Sequence, residues 1–193
     1  MKKERKMFVY AVVSAILVVS WGAALAADGV TLIDQSTVSS PPFYIKKPGS
    51  YRLSGNLAAP NDFDDCLIIV SSSDVTLDLN GFNISAGARG GGICTGGEEF
   101  PRVEVRNGSI TGGLGVFLNE SSIVRNVRVT TPNRYNFAVG VGSYSIVEHN
   151  SMNGSVLILC PSVYSGNTNK QNTLFWGYNC VGNNNVPKNP GTP

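Results

Sequence analysis

Arg106, Arg125 and Glu148 each stand directly after an apolar residue, in VRN (105–107), VRN (124–126) and VEH (147–149). Guanidinium groups at repeated positions can fork onto carboxylates, so a column of them would suit the acid groups of a polysaccharide. The competing use is internal, an exposed Arg125 and Glu148 pair with Arg106 beside it, which adds little stability. A second cluster is NDFDD, with Asp62, Asp64 and Asp65. Its carboxylates could ligate Ca2+, or form a solvated acidic loop; no other cofactor is implied. His149 is the single histidine, and beside Asn150 at a polar corner it reads as solvated rather than as a general base. Arrangements for nucleophilic catalysis and phosphate-binding glycine loops are missing. Arg89 with Gly90, Gly91 and Gly92 reads as a tight turn.

These residues need elements to hold them, and the clearest is DVTLDLNGFNIS, from Asp74 to Ser85. Val75, Leu77 and Leu79 alternate with Thr76, Asp78 and Asn80, the period of a strand with one buried face. After a corner at Asn80 and Gly81 the chain resumes with Ile84. The same step recurs in VRNGSI, VRNVRV, VEHNSM and, weakly, VYSGNT. Its anchors are Leu79, Val105, Val124, Val147 and Val163, an average spacing of about 21 residues. A short apolar block precedes each anchor: LIIV, GIC, VFL, AVGV and VLIL. Outside the N-terminal segment no long window carries a helical stripe. Units this small cannot bury a core alone and gain stability by stacking.

In succession, VTLDLNGFNI, GGGI and VEVRNGSITG resemble the opening coils of a right-handed parallel β-helix of the pectate-lyase-like superfamily. The resemblance runs from about Cys66 to Thr168. It implies an all-β, single-domain solenoid of about five to six short coils over residues 61–182; an antiparallel sandwich is the alternative. Enzymes of such a family use calcium with an Arg or Lys base, or clustered Asp, on one outer face. The paired acidic and GHG-type motifs of its hydrolases and the DPH motif of its epimerases are missing from this chain.

Residues 1–26 form a basic head, an apolar run and Ala24-Leu25-Ala26, the pattern of a cleaved export signal; an uncleaved anchor is the alternative. A secreted or periplasmic protein is therefore expected, with no other membrane segment. The chain carries +2 overall, of which Lys2, Lys3, Glu4, Arg5 and Lys6 supply +3, so the remainder is −1. No basic run suggests nucleic acid. Residues 27–60, with Phe43, Tyr44, Ile45 and Tyr51, are expected to cap the first coil, and Phe175, Trp176 and Tyr178 to close the last. Residues 183–193 read as a disordered tail.

Four cysteines in an exported chain suggest disulfides. Cys66 and Cys94 are 28 residues apart and Cys160 and Cys180 are 20 apart, each about one turn, so these two pairs are expected. Relative to the anchors, only Asn107 and Asn126 share a register, which does not support a full asparagine ladder. The reading is an exported module, not an enzyme on balance, that binds or organises extracellular or envelope polysaccharide or offers an interaction surface. Its open ends leave self-association possible. The alternative is a small polysaccharide lyase acting on an acidic glycan through Arg106 or Arg125.

Overall fold

The structure, a computed structural model, describes residues 29–61, 63–97, 102–132 and 136–185. The export segment, Asp62 and most of the expected tail lie outside these residues. The chain divides into two units after Val30, and the second, from Thr31 onward, carries the fold.

The described residues form seventeen strands and no helix. In chain order they begin with β1 (Val30–Ile33), β2 (Phe43–Ile45), β3 (Gly49–Leu53), β4 (Leu57–Ala58), β5 (Cys66–Val70) and β6 (Val75–Asp78). Two long strands come next, β7 (Asn83–Thr95) and β8 (Val103–Leu118), then β9 (Ile123–Thr130), β10 (Phe137–Val141), β11 (Ile146–Glu148) and β12 (Ser151–Met152). The series ends with β13 (Ser155–Leu159), β14 (Val163–Ser165), β15 (Thr168–Asn169), β16 (Thr173–Trp176) and β17 (Val181–Asn183).

Parallel pairing arranges them in three ladders. The first runs β2, β5, β7, β8, β10, β13, β16. The second runs β3, β6, β8, β9, β11, β14, β17, with β1 paired to β3 at its start. The third runs β4, β7, β8, β9, β12, β15. The long strands serve two or more ladders because they bend from one to the next without interruption. This mostly parallel, unclosed sheet is consistent with a β-solenoid.

Each ladder sends one row of side chains inward. In the second ladder the row is Tyr51, Leu77, Val105, Val124, Val147, Tyr164 and Gly182. In the third it is Leu57, Ile84, Ile110, Val129, Met152 and Asn169. Nearly all are buried, and burying a Val, Leu or Ile side chain contributes roughly 1.5 to 3 kcal/mol. Two expected anchors are therefore out of register. Leu77 rather than Leu79 stands in the row, and Tyr164 replaces Val163, whose side chain is exposed. Tyr164 packs edge-on against Phe175 at 5.9 Å between ring centroids. Burial pushes its phenol above the ordinary value, against a smaller opposing effect of Thr173.

The corner after the second ladder turns on single residues in the left-handed region: Asn107, Asn126, His149, Gly166 and Asn184, with φ between 54° and 62°. Asn and Gly are the residues that adopt this conformation at least cost. The shared register of Asn107 and Asn126 thus reflects backbone geometry. The corner before the second ladder uses Asp74, Arg102, Ser121, Tyr144 and Asn179 in the same way.

An asparagine ladder does exist, one residue beyond the left-handed positions. Buried Asn150 accepts the Val127 amide on Oδ1 and donates from Nδ2 to the Val124 carbonyl and to Asn167 Oδ1. Buried Asn167 donates from Nδ2 to the Val147 carbonyl at 2.8 Å, and Asn185 donates to the Tyr164 carbonyl at 2.9 Å. The ladder is partial, as the expectation of no full ladder allows, since Asn80, Asn107 and Asn126 stand outside it. Its three members do not align in the sequence when Val163 is taken as an anchor and Asn185 is assigned to the tail. Strand β17 reaches Asn183, so ordered structure continues into that segment. At the opposite corner the Ser122 and Ser145 amides donate to Ser145 Oγ and Ser162 Oγ.

Three further expectations need correction. The segment 27–60 is more than a cap: β2 and β4 open the first and third ladders, β3 joins the second with β1 paired to it, and Ile33 and Val38 are buried. Gly90 to Gly92 lie inside β7 rather than in a tight turn. A Cβ on Gly92 would stand 2.5 Å from Ile110 Cγ2, so close strand contact, not turning, demands glycine there. At the far end Phe175 packs on the core, while Trp176 and Tyr178 are 74% and 89% exposed. Disulfides join Cys66 to Cys94 and Cys160 to Cys180, with Cα separations of 5.9 and 5.0 Å.

Replacing Asn167 with Ala should strand the Asn150 amide and the Val147 carbonyl. The expected loss is about 2 to 3 kcal/mol in urea unfolding. Asn126→Gly, at an exposed corner, should stay within about 0.5 kcal/mol. Equal effects would show that the ladder does not contribute as described.

Candidate functional site

The outward row of the second ladder holds the arginines and the glutamate of the repeated motif. Arg52, Asp78, Arg106, Arg125, Glu148, Ser165 and Asn183 stand in consecutive register. The column of Arg106, Arg125 and Glu148 is therefore assembled, but its cations are already partnered. Arg106 Nε donates to Asp78 at 3.1 Å and Nη1 to Glu104 at 3.4 Å. Arg125 Nε donates to Glu104 Oε1 at 2.8 Å, and its Nη1 lies 3.9 Å from Glu148. Glu104 sits between the two guanidiniums, on the same strand as Arg106. Three carboxylates surround two arginines, so the patch carries no surplus positive charge for an acidic ligand.

A second pair closes the neighbouring corner. Arg102 meets the Asp74 carboxylate with two hydrogen bonds of 2.6 and 2.9 Å. Both are left-handed corner residues, 28 positions apart in the chain, so the backbone places them one above the other. The hydrogen bond from Arg102, helped by its charge, holds the Asp74 carboxyl below the usual carboxylate range.

The acidic cluster is not assembled as a site among the described residues. Asp65 Oδ1 accepts the Cys66 amide at 2.6 Å, and Asp64 is exposed. No three His, Cys, Asp or Glu side chains among the described residues come together around a point that could hold a metal.

The feature the sequence reading missed lies around the corner, on the outward row of the third ladder. Asn83, Ser109, Arg128, Ser151 and Thr168 stand in register there. Between this row and the left-handed corner is a cavity of about 400 Å3, lined by Ser109, Asn126, Arg128, His149 and Ser151 over Gly81 and Gly108. The His149 ring lies against Gly166, where a Cβ would stand 2.8 Å from Cδ2. Arg128 is exposed, and its guanidinium has no ion-pair or hydrogen-bond partner among the described residues. No Asp or Glu among the described residues lines the cavity. The signal was present as VRNVRV, whose second arginine stands one face further round than Arg125.

The first ladder presents an apolar exterior instead. Tyr44, Ile69, Cys94, Phe117, Gly140, Leu157 and Leu174 share its outward row. Lys46 Nζ sits 5.3 Å from the Tyr44 ring centroid. A smaller cavity of about 290 Å3 is lined in part by Phe117, Leu157 and Leu159.

Comparison with known proteins finds no matching family model, no matching curated protein and no matching solved structure. The functional reading therefore rests on the chain itself.

Stability from the Asp74 and Arg102 pair is present above the ordinary Asp value of 3.8. It is lost as pH falls through the lower value of the folded state. In Arg102→Gln the Asp74 midpoint should rise toward 3.8 in a carboxyl 13C NMR titration, and the pH-dependent difference from wild type should vanish in acid. An unmoved midpoint would show that Arg102 is not what depresses it.

Proposed function

We propose that this chain is an exported, right-handed parallel β-helix that binds or organises extracellular or envelope polysaccharide along its outside. The register supports six three-strand coils, from β2–β3–β4 to β13–β14–β15, with β16 and β17 opening a seventh. That is slightly more than the five to six expected, because the segment taken as a cap adds a coil. Right-handedness follows the strong preference of parallel crossover connections. Two disulfides, each joining neighbouring coils, suit an oxidising compartment and support export.

The observation that carries the binding reading is the outward row of the third ladder. Hydroxyl and amide side chains flank one unpaired arginine beside an open cavity, and successive members of a row are about 4.8 Å apart. A linear polymer can lie along such a row and meet polar groups at several coils at once. The apolar exterior of the first ladder and the exposed Trp176 give further surface of a kind that packs on sugar faces. A lyase reading built on Arg106 or Arg125 has less support, since carboxylates of this chain already engage both guanidiniums.

Affinity electrophoresis through gels containing neutral or acidic polysaccharides should retard the protein on at least one polymer. Incubation of the same polymers with the protein should release no reducing ends above an Arg106→Ala control. Unretarded migration on every polymer would refute the binding reading, and Arg106-dependent release would establish the lyase alternative.

A further inference from the structure

We propose that the cavity beside Arg128 is a subsite for a tetrahedral oxyanion, supplied by a sulfate or phosphate ester on a saccharide. The saccharide as its carrier rests on the polysaccharide reading above; the oxyanion chemistry does not.

Three features converge on this assignment. The first is charge. The ion-pair partners of Arg102, Arg106 and Arg125 are carboxylates of this chain, whereas Arg128 has no such partner among the described residues and the cavity has no acidic wall there. An unopposed guanidinium at a surface attracts anions, and one that can reach two oxygens of a phosphate or sulfate makes forked, charge-assisted hydrogen bonds. The second is the supply of donors. Ser151 stands on one strand flanking Arg128, and Ser109, whose hydroxyl donates to Asn83 Oδ1 at 3.0 Å, on the other, while Asn126 and His149 approach from the corner. A planar carboxylate seated on the arginine fork would leave most of these donors unused. An ester anion with oxygens pointing in three directions can accept from several of them.

The third is access. Asn126 and His149 stand at the left-handed corner, and Gly81, with open space where a Cβ would be, leaves the cavity clear on its side. A Cβ on Gly108 would point away from the cavity and collide with Leu79 Cβ on the inner side, so close packing keeps that position a glycine. The resulting space of about 400 Å3 is enough to admit an anionic group with part of the ring that carries it.

The single histidine makes the test direct, because an untagged protein gives one set of imidazole NMR signals. Inorganic sulfate, inorganic phosphate and acetate would each be titrated at constant ionic strength against a chloride background. Sulfate or phosphate should move the His149 signals saturably in wild type. Arg128→Gln should weaken this response about tenfold or more, Arg128→Lys should weaken it less, and Arg125→Gln should leave it unchanged. Thermal melting confirms that each variant is folded. Whichever of the two tetrahedral anions responds more strongly indicates the ester. Responses that persist in Arg128→Gln, that match chloride, or that are larger with acetate would overturn the assignment. Such a failure leaves the polysaccharide reading standing if neutral polymers still retard the protein, and absence of all retardation sinks that reading separately.

Discussion

Vertical register is the constraint on which the rest of this structure depends. A strand in a parallel ladder satisfies its backbone donors and acceptors only through the strands on either side of it. Its inward side chain must also fall on the inward side chain of its neighbour. A slip of one residue would turn every buried side chain outward. The chain meets this requirement with corners rather than with long strands. A single left-handed residue at each side of the second ladder changes direction without adding length. Asparagine and serine side chains then bridge the polar groups that the corner would otherwise leave unpaired.

The same register decides what the exterior can do. Because Arg106 stands over Asp78, and Arg125 stands beside Glu104 and Glu148, these side chains neutralise one another before any ligand arrives. Half-buried surface pairs of this kind make a modest contribution to stability. They do determine where positive charge is available. Moving three residues along β9 from Arg125 to Arg128 passes the corner and places a guanidinium on a face whose neighbours are serines. Two arginines in one short strand thus have different chemistry because of where a left-handed residue, Asn126, falls between them.

Much of the architecture was legible in the sequence. Val105, Val124 and Val147 stand in one row, and the spacing of the cysteines matched the vertical separation of the strands that bear them. The errors have a common physical origin. Period-two patterning identifies a strand but not the alignment of one strand over another, and VYS permits either Val163 or Tyr164 to face inward. Tyr164 wins because its ring fills the interior against Phe175, a contact that local pattern cannot reveal. That one-residue error concealed the asparagine ladder, since offsets counted from Val163 scatter residues that in fact coincide. The N-terminal strands were missed for a related reason. Pro41, Pro42 and Pro48 interrupt the pattern, but they fall between β2 and β3 or ahead of them, where no ladder amide is needed.

The candidate site was the least legible part, and the reason lies in how a sequence displays charge. Arg106, Arg125 and Glu148 attracted notice because they repeat at a recognisable offset. Repetition in a stacked fold brings residues together, and residues brought together with opposite charges cancel. Arg128 carries no such repetition: the positions above and below it are Ser109 and Ser151. In a stacked fold the side chain that breaks its row is therefore the more informative one for ligand chemistry, because its neighbours carry no charge that would consume its own.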